Sequence, residues 1–187
     1  MTHLTREELE SGLDPIRRAP ADEGSLVLIV RRPAANEREV LEEGTLDVER
    51  GLVGDRWCRS GPGRLGEAAR RDSQLNVMSS RVIGPIAGDR ERWPLAGDQL
   101  FVDLDLSEAN LPPGTRLAIG PAIIEVTAEP HTGCGKFVSR FGVDAVRFVN
   151  SPTGRELRLR GLNARVVAGG AVRPGDPVRR LAPLLSR

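Results

Sequence analysis

Glycine and proline interrupt this chain so often that it reads as many short pieces rather than as long helices. Of its 187 residues 21 are glycine and 14 are proline, and apolar runs of strand length such as Leu26-Val27-Leu28-Ile29-Val30 lie between them. Proline removes an amide donor and glycine resists a fixed backbone, so each ends a regular element near where it stands. Many short strands with two or three short helices predict a mostly β chain of the α+β kind. A largely antiparallel closed β-barrel follows, because closure removes the edges such strands would otherwise expose.

The length suits one domain, in which about 70% of the unfolded surface is buried. Residues 1–24 read as an N-terminal surface helix and linker: Thr5-Arg6-Glu7-Glu8 fits a capping box before a helix ending near Gly12, and Pro15, Pro20 and Gly24 oppose its continuation. Residues 25–187 read as the single barrel domain, without internal repeat or low-complexity tract. A net charge of +1 and an aromatic content of 3% supply neither a phosphate-attracting excess nor stacking platforms, so nucleic acid is not an expected partner. Two cysteines make no disulfide framework, and no apolar stretch resembles a signal peptide or membrane span, so a cytoplasmic location is expected and a membrane is not. The oligomeric state is not legible.

Strands are predicted at 26–30, at 39–41 and 45–48 as a pair, at 74–78 with Gln74, Asn76 and Met78 on one face, and at 100–106. A hairpin is predicted over 116–127 through Gly120-Pro121, with last strands at 156–160, 163–168 and 178–181. Helical patterns start at Ser79 or Ser80 and run over 136–149 with a break at Gly142. Asp103 and Asp105 share a strand face, where they could hold a hard cation but more simply form its wet side. Arg158 and Arg160 would share another, which reads more simply as a solvated edge than as an anion-binding face. Gly61-Pro62-Gly63-Arg64-Leu65-Gly66 has the G-x-G-x-x-G spelling, but no strand precedes it and Pro62 lacks an amide, so it reads as a flexible loop.

The chemistry concentrates in Glu129-Pro130-His131-Thr132-Gly133-Cys134-Gly135-Lys136-Phe137. Lys136 is the one lysine among 27 basic residues, and Cys134 and His131 are each one of two of their kind. A cysteine between glycines is uncrowded, and a neighbouring cation would favour its thiolate, the form that attacks electrophiles and binds metals. The same spelling also fits a plain turn with a small buried hydrophobe. Upstream, Gly51-Leu52-Val53-Gly54-Asp55-Arg56-Trp57-Cys58 describes a tight glycine-framed loop. Its Asp-Arg pair fits either a turn cap with a surface ion pair or a guanidinium fork for phosphate or carboxylate.

Taken in order, Gly51-x-x-Gly54-Asp55-Arg56, Gln74, Ala96-Gly97-Asp98-Gln99-Leu100, Leu117-x-Ile119-Gly120, Glu125-Val126-Thr127 running into Cys134, and Gly175-Asp176 resemble the MOSC domain, the C-terminal domain type of molybdenum cofactor sulfurases found also as stand-alone bacterial proteins. The resemblance spans residues 26–181. It departs at Trp57, where the family has histidine, and at Gly97-Asp98-Gln99, where it has Gly-Glu-Asn. The resemblance implies a β-barrel and the molybdenum cofactor (molybdopterin), with Cys134 as metal ligand or sulfur carrier and the Asp55–Arg56 loop facing the same pocket; the neighbouring charges of Lys136 and His131 are expected to tune the Cys134 thiol rather than to ligate metal. It also implies cofactor contacts from Gly54, Asp55, Arg56, Gln74, Asn76 and Gly133. The partners it implies are a small-molecule substrate and a redox partner or sulfurtransferase, since no flavin, nicotinamide or iron–sulfur signature is present. Pyridoxal phosphate is not expected, because the one lysine adjoins the ligand cysteine. The residues leave other readings open: metal-free thiol chemistry with His131 as base to Cys134, a non-catalytic carrier or binding domain, or zinc on His131, Cys134 and Cys58.

Overall fold

The computed structural model describes residues 3–59 and 66–182. Its strands are β1 (Glu23–Arg31), β2 (Glu39–Leu41), β3 (Gly44–Asp47), β4 (Gly51–Leu52), β5 (Leu75–Ser79), β6 (Leu100–Asp103), β7 (Arg116–Ile119), β8 (Ala122–Val126), β9 (Leu162–Ala168), β10 (Gly170–Val172) and β11 (Pro177–Arg180). Helices are α1 (Arg6–Ser11), α2 (Leu13–Arg17), α3 (Gly66–Asp72), α4 (Ser80–Ala87), α5 (Gly135–Phe141), α6 (Val143–Val149) and α7 (Pro152–Glu156), with tighter turns of helix at Arg56–Arg59 and Arg90–Ala96.

Seven strands in the order β11-β7-β8-β9-β5-β6-β1 form a sheet that closes on itself through the pairing of β1 with β11. All pairs around it are antiparallel except β5 with β6, which α4 connects, as a parallel pair requires. The expected closed barrel is therefore present, with one parallel seam. β2 continues along the end of β1 (Ile29↔Leu41, Arg31↔Glu39), and β10-β3-β4 make a small second sheet.

The apolar run of β1 is continuous because both of its faces are covered. Leu26 and Ile29 belong to the barrel interior with Val77, Leu100, Val102, Leu117, Ile124 and Val166, whereas Leu28 and Val30 face outward with Met78 and Phe101. Leu26 and Ile29 share a side despite their odd spacing because the register with β6 slips between Leu26 and Leu28, a bulge that resets the alternation. The outer cluster takes Phe137 and Phe141 from α5, Phe148 and Val149 from α6, and Val82, Ile83 and Ile86 from α4. Fully burying one such side chain stabilises by about 1.5–3 kcal/mol, so this layer fixes α5, and the loop before it, against the barrel wall.

Local sequence accounts for most of these elements. Thr5 and Glu8 make the reciprocal capping box that starts α1. The N-terminal segment also packs on the outer cluster through Leu9 and Ile16, and Pro15 lies within the first turn of α2, where no intrahelical donor is lost. Residues 156–160 differ from the expected strand. Ser151 accepts from the Gly154 amide and Pro152 stands at the first helical position, signals that start α7 and outweigh the Leu/Arg alternation after it. β2 and β3 form but do not pair with each other; β3 joins β10 and β4. β6 ends at Asp103. Its carboxylate meets Arg81 at 2.5 Å, and Asp105 accepts from the Ser107 amide at 2.9 Å, so neither is left for a cation. The 61–65 part of the G-x-G-x-x-G loop lies outside the described residues.

Candidate functional site

One end of the barrel gathers the polar residues. Gly51 and Gly54 have φ of 67° and 84°, the left-handed region open to glycine, and the tight loop they frame delivers Asp55 into the interior. Asp55 is 1% exposed and accepts four hydrogen bonds: from the Arg32 amide and Nε (both 2.9 Å), from Arg32 Nη2 (3.0 Å) and from the Trp57 amide (2.9 Å). Its partner is Arg32, not the adjacent Arg56. Two-point pairing in a dry setting holds Arg32 rigidly, and its Nη1 goes on to the Gly97 carbonyl (2.8 Å) and Asn76 Oδ1 (3.1 Å).

Arg56 is thereby left to line a pocket with Arg32, Trp57, Arg59, Ser73 and Asn76. Trp57 is buried under the Arg70 guanidinium, whose carbon lies 4.0 Å from its ring centre. Arg38 is placed close enough to Arg140, Arg32 and Arg56 that burial first, and these three charges next, push its pKa down, opposed by Asp55. Four guanidiniums therefore crowd one barrel mouth, and with Arg32 neutralised by Asp55 the charges of Arg38, Arg56 and Arg140 remain, a density suited to an anionic group.

The polar chain continues inward. Asn76 Nδ2 donates to Asn163 Oδ1 at 2.6 Å, and Asn163 Nδ2 donates to the carbonyls of Glu129 (3.1 Å) and Pro130 (3.2 Å), which ties the arginine pocket to the Cys134 loop. Gln74, expected near a cofactor, is instead buried as a brace: Nε2 donates to the Val48 carbonyl and Oε1 accepts from the Val166 amide at 2.7 Å.

At the far end of that loop Asn150 clamps Gly133, accepting from its amide at 2.9 Å and donating to its carbonyl at 3.1 Å. A Cβ on Gly133 would lie 3.1 Å from a Val149 methyl, so this glycine permits a close approach, whereas Gly135 faces open space. Cys134 is exposed and caps the start of α5. Partial burial pushes its thiol up, but the amides of Phe137 and Lys136 and the Arg160 guanidinium outweigh that, and its pKa lies below the ordinary thiol value. Lys136 thus acts on the sulfur through its backbone N–H. Cys58, by contrast, donates its thiol to the Asp55 carbonyl at 3.1 Å.

His131 sits deeper. Burial and the nearby Arg160 charge push its pKa down to about 4 against the opposing pull of Asp98, so the ring is neutral at neutral pH. Its Nδ1 is 3.6 Å from Asp98 Oδ1 and has no hydrogen-bond partner. Asp98, fully buried, is paired with Arg160 at 2.8 Å, and Arg160 also donates to the Ala96 carbonyl and lies over the Phe137 ring at 4.9 Å.

Sequence reasoning passed over Arg32, Asn163, Arg38 and Arg140, and it placed Arg160 beside Arg158 on a strand face, whereas Arg160 lies in a turn and is buried against Asp98. Arg32 lies 23 residues from Asp55 and Arg160 lies 62 from Asp98, and buried pairing over such separations has no local signature. The available signals were Asp98, inside the quoted Gly97-Asp98-Gln99 segment, and Arg32, closing a strand buried on both faces.

No family model matches the chain, and no curated protein matches it. Solved structures do. The YUAD protein from Bacillus subtilis superposes with a TM-score of 0.64 at 17% identity over 87% of this chain and 97% of that one. YiiM from Escherichia coli (0.53, 22%, 86% and 71%) and YiiM from Geobacillus stearothermophilus (0.53, 14%, 85% and 73%) follow the same path. At such identities the likeness is one of fold: this chain is a MOSC-like β-barrel with short helices packed on its outside.

Proposed function

We propose that the protein binds the molybdenum cofactor, with the Cys134 thiolate as the protein's ligand to the metal and the arginine mouth holding the anionic end of the pterin. The observation that carries this reading is the pairing of an exposed, acidified thiol with the crowded guanidiniums of Arg32, Arg38, Arg56 and Arg140 at one barrel end. The donor set suits the group: a soft thiolate for molybdenum and rigid two-point forks for a phosphate. When bound, the group supplies oxygen-atom, sulfur or electron transfer at the metal. The chain's own residues then bind and orient: Cys134 holds the metal side, Arg56 the anion, and the Asn76–Asn163 chain fixes the spacing between them. A small oxidoreductase of this kind draws its electrons from a partner protein. A carrier that holds sulfur on Cys134 as a persulfide needs the same exposed thiolate.

Metal-free thiol catalysis is less well supported, because His131 is buried beside Asp98 and Arg160. Zinc has no support: among the described residues no group of three His, Cys, Asp or Glu side chains is placed to hold a metal ion. The test is metal and pterin analysis of protein from cofactor-producing cells. Molybdenum and pterin should copurify, and Cys58→Ala should retain both. Arg56→Lys should weaken retention about tenfold, since the charge stays but the fork goes. Protein without molybdenum from such cells, or retention unaffected by Arg56→Lys, counts against the reading.

A further inference from the structure

A cleft of about 590 Å³ lies on the other side of the loop that leads to Cys134, within the range of roughly 300–1,000 Å³ usual for small-molecule sites. One wall is formed by residues 127–132, the other by Val149, Asn150 and the stretch from Gly154 to Leu162. Pro113, Pro130, Val149 and Leu162 give it an apolar lining.

The charges on these walls differ in how far they are already satisfied. Arg160 is neutralised by Asp98. Arg158 is under the influence of Glu108, and its Nη1 donates to the Leu111 carbonyl at 2.5 Å. Arg158 also has φ of 46°, uncommon for a side-chain-bearing residue, in a turn closed by Gly161 N–H to the Arg158 carbonyl at 2.7 Å. That leaves Glu129 on one wall and Arg155 on the other, with no ion pair to each other or to any described residue. His131 and Arg160 also line the cleft, and behind that lining Arg160 Nε and His131 Nδ1 are buried without hydrogen-bond partners. Buried polar atoms without partners are costly and rare, so this wall of the cleft is not fully satisfied by the chain itself. A larger hollow of about 850 Å³ near Asn110 and Arg116 offers no such remainder, since Arg116 pairs with Glu125 and Arg180 with Asp22.

We propose that this cleft binds a small zwitterion, an apolar body with a carboxylate held by Arg155 and an ammonium held by Glu129. A purely anionic ligand would face the Glu129 carboxylate, and a purely cationic one the Arg155 guanidinium. A ligand with both ends compensates Glu129 and Arg155 together and leaves Glu108 and Arg158 to each other, while its body covers the proline, valine and leucine surface of the cleft. The site uses neither the Cys134 sulfur nor the arginine mouth, so it stands apart from the cofactor reading.

The test is amide NMR of the isotope-labelled full chain titrated with three probes that share one ring: para-aminomethylbenzoate, benzoate and benzylamine. The zwitterion should give saturable shifts at 128–132 and 154–162 and bind about tenfold or more tightly than either singly charged probe, as one extra charge-assisted hydrogen bond allows. Arg155→Gln should abolish the zwitterion's advantage over benzylamine while benzylamine itself binds no more weakly than to the parent, and Glu129→Gln should abolish its advantage over benzoate in the same way. Cys134→Ser should bind the zwitterion as the parent does. Equal affinity for the three probes, shifts outside the cleft, no saturable shift, or loss of binding in Cys134→Ser would each overturn the proposal.

Discussion

The Asp55 loop and the Cys134 loop stand at the same barrel end and are built on opposite principles. Asp55 is almost wholly buried and takes four hydrogen bonds, three of them from one arginine. Cys134 is exposed, and its loop is held mainly by Asn150 on Gly133 and by the Asn163 amide on the carbonyls of Glu129 and Pro130. One loop immobilises charge, as the proposed anion cradle requires, because reorganising guanidiniums at the moment of binding would cost affinity. The other presents a sulfur with little around it, as the proposed ligand or carrier role requires.

The widest separation between the two should appear in stability. Asp55→Ala leaves Arg32 buried without its counter-charge and should cost on the order of 3–5 kcal/mol, whereas Cys134→Ser, at an exposed cap, should stay within about 0.5 kcal/mol. Urea unfolding of both variants checks this, and similar losses would erase the contrast. His131 gives the next effect. Its folded pKa of about 4 lies below the ordinary 6.5, so between those values the unfolded chain binds a proton that the folded chain does not. Stability therefore rises with pH across that window and is lost as pH falls through it, by up to about 3 kcal/mol. His131→Gln should flatten the slope, and an unchanged slope would place its origin in other groups.

Asn150→Ala removes both hydrogen bonds from Gly133 and should cost about 1–3 kcal/mol, with faster amide exchange over 131–135 and none over 51–57. Exchange that rose equally in both loops would show them to be one unit. The smallest effect is expected from Lys136→Met, which removes the ammonium and keeps the amide that bonds the sulfur. The pH profile of Cys134 alkylation should move by less than about half a unit, and a larger displacement would give the ammonium the leading part.

How much of this was legible follows the range of the interactions. The strand over 26–30, the hairpin through Gly120-Pro121 and the break between α5 and α6 at Gly142 have local causes and were readable. The turn over 157–160 was misread because alternation of Leu and Arg imitates a strand once the Ser151-Pro152 helix start is overlooked. Pairing of β3 with β10 joins residues on either side of most of the chain, and no spacing announces it. The site divides in the same way. Cys134, Gly133 and Asp55 stand in glycine-rich spellings that point to themselves, whereas Arg32, Arg160 and Asn163 differ from other arginines and asparagines only in what the fold brings against them.

Molybdenum X-ray absorption of cofactor-loaded parent and Cys134→Ser protein, compared at equal metal content, tests the ligand assignment most directly. The parent should show one more sulfur neighbour at the metal than the variant, with the remaining shell unchanged. Identical spectra would mean that the exposed thiol does not reach the metal, and that the two loops do not face a common ligand.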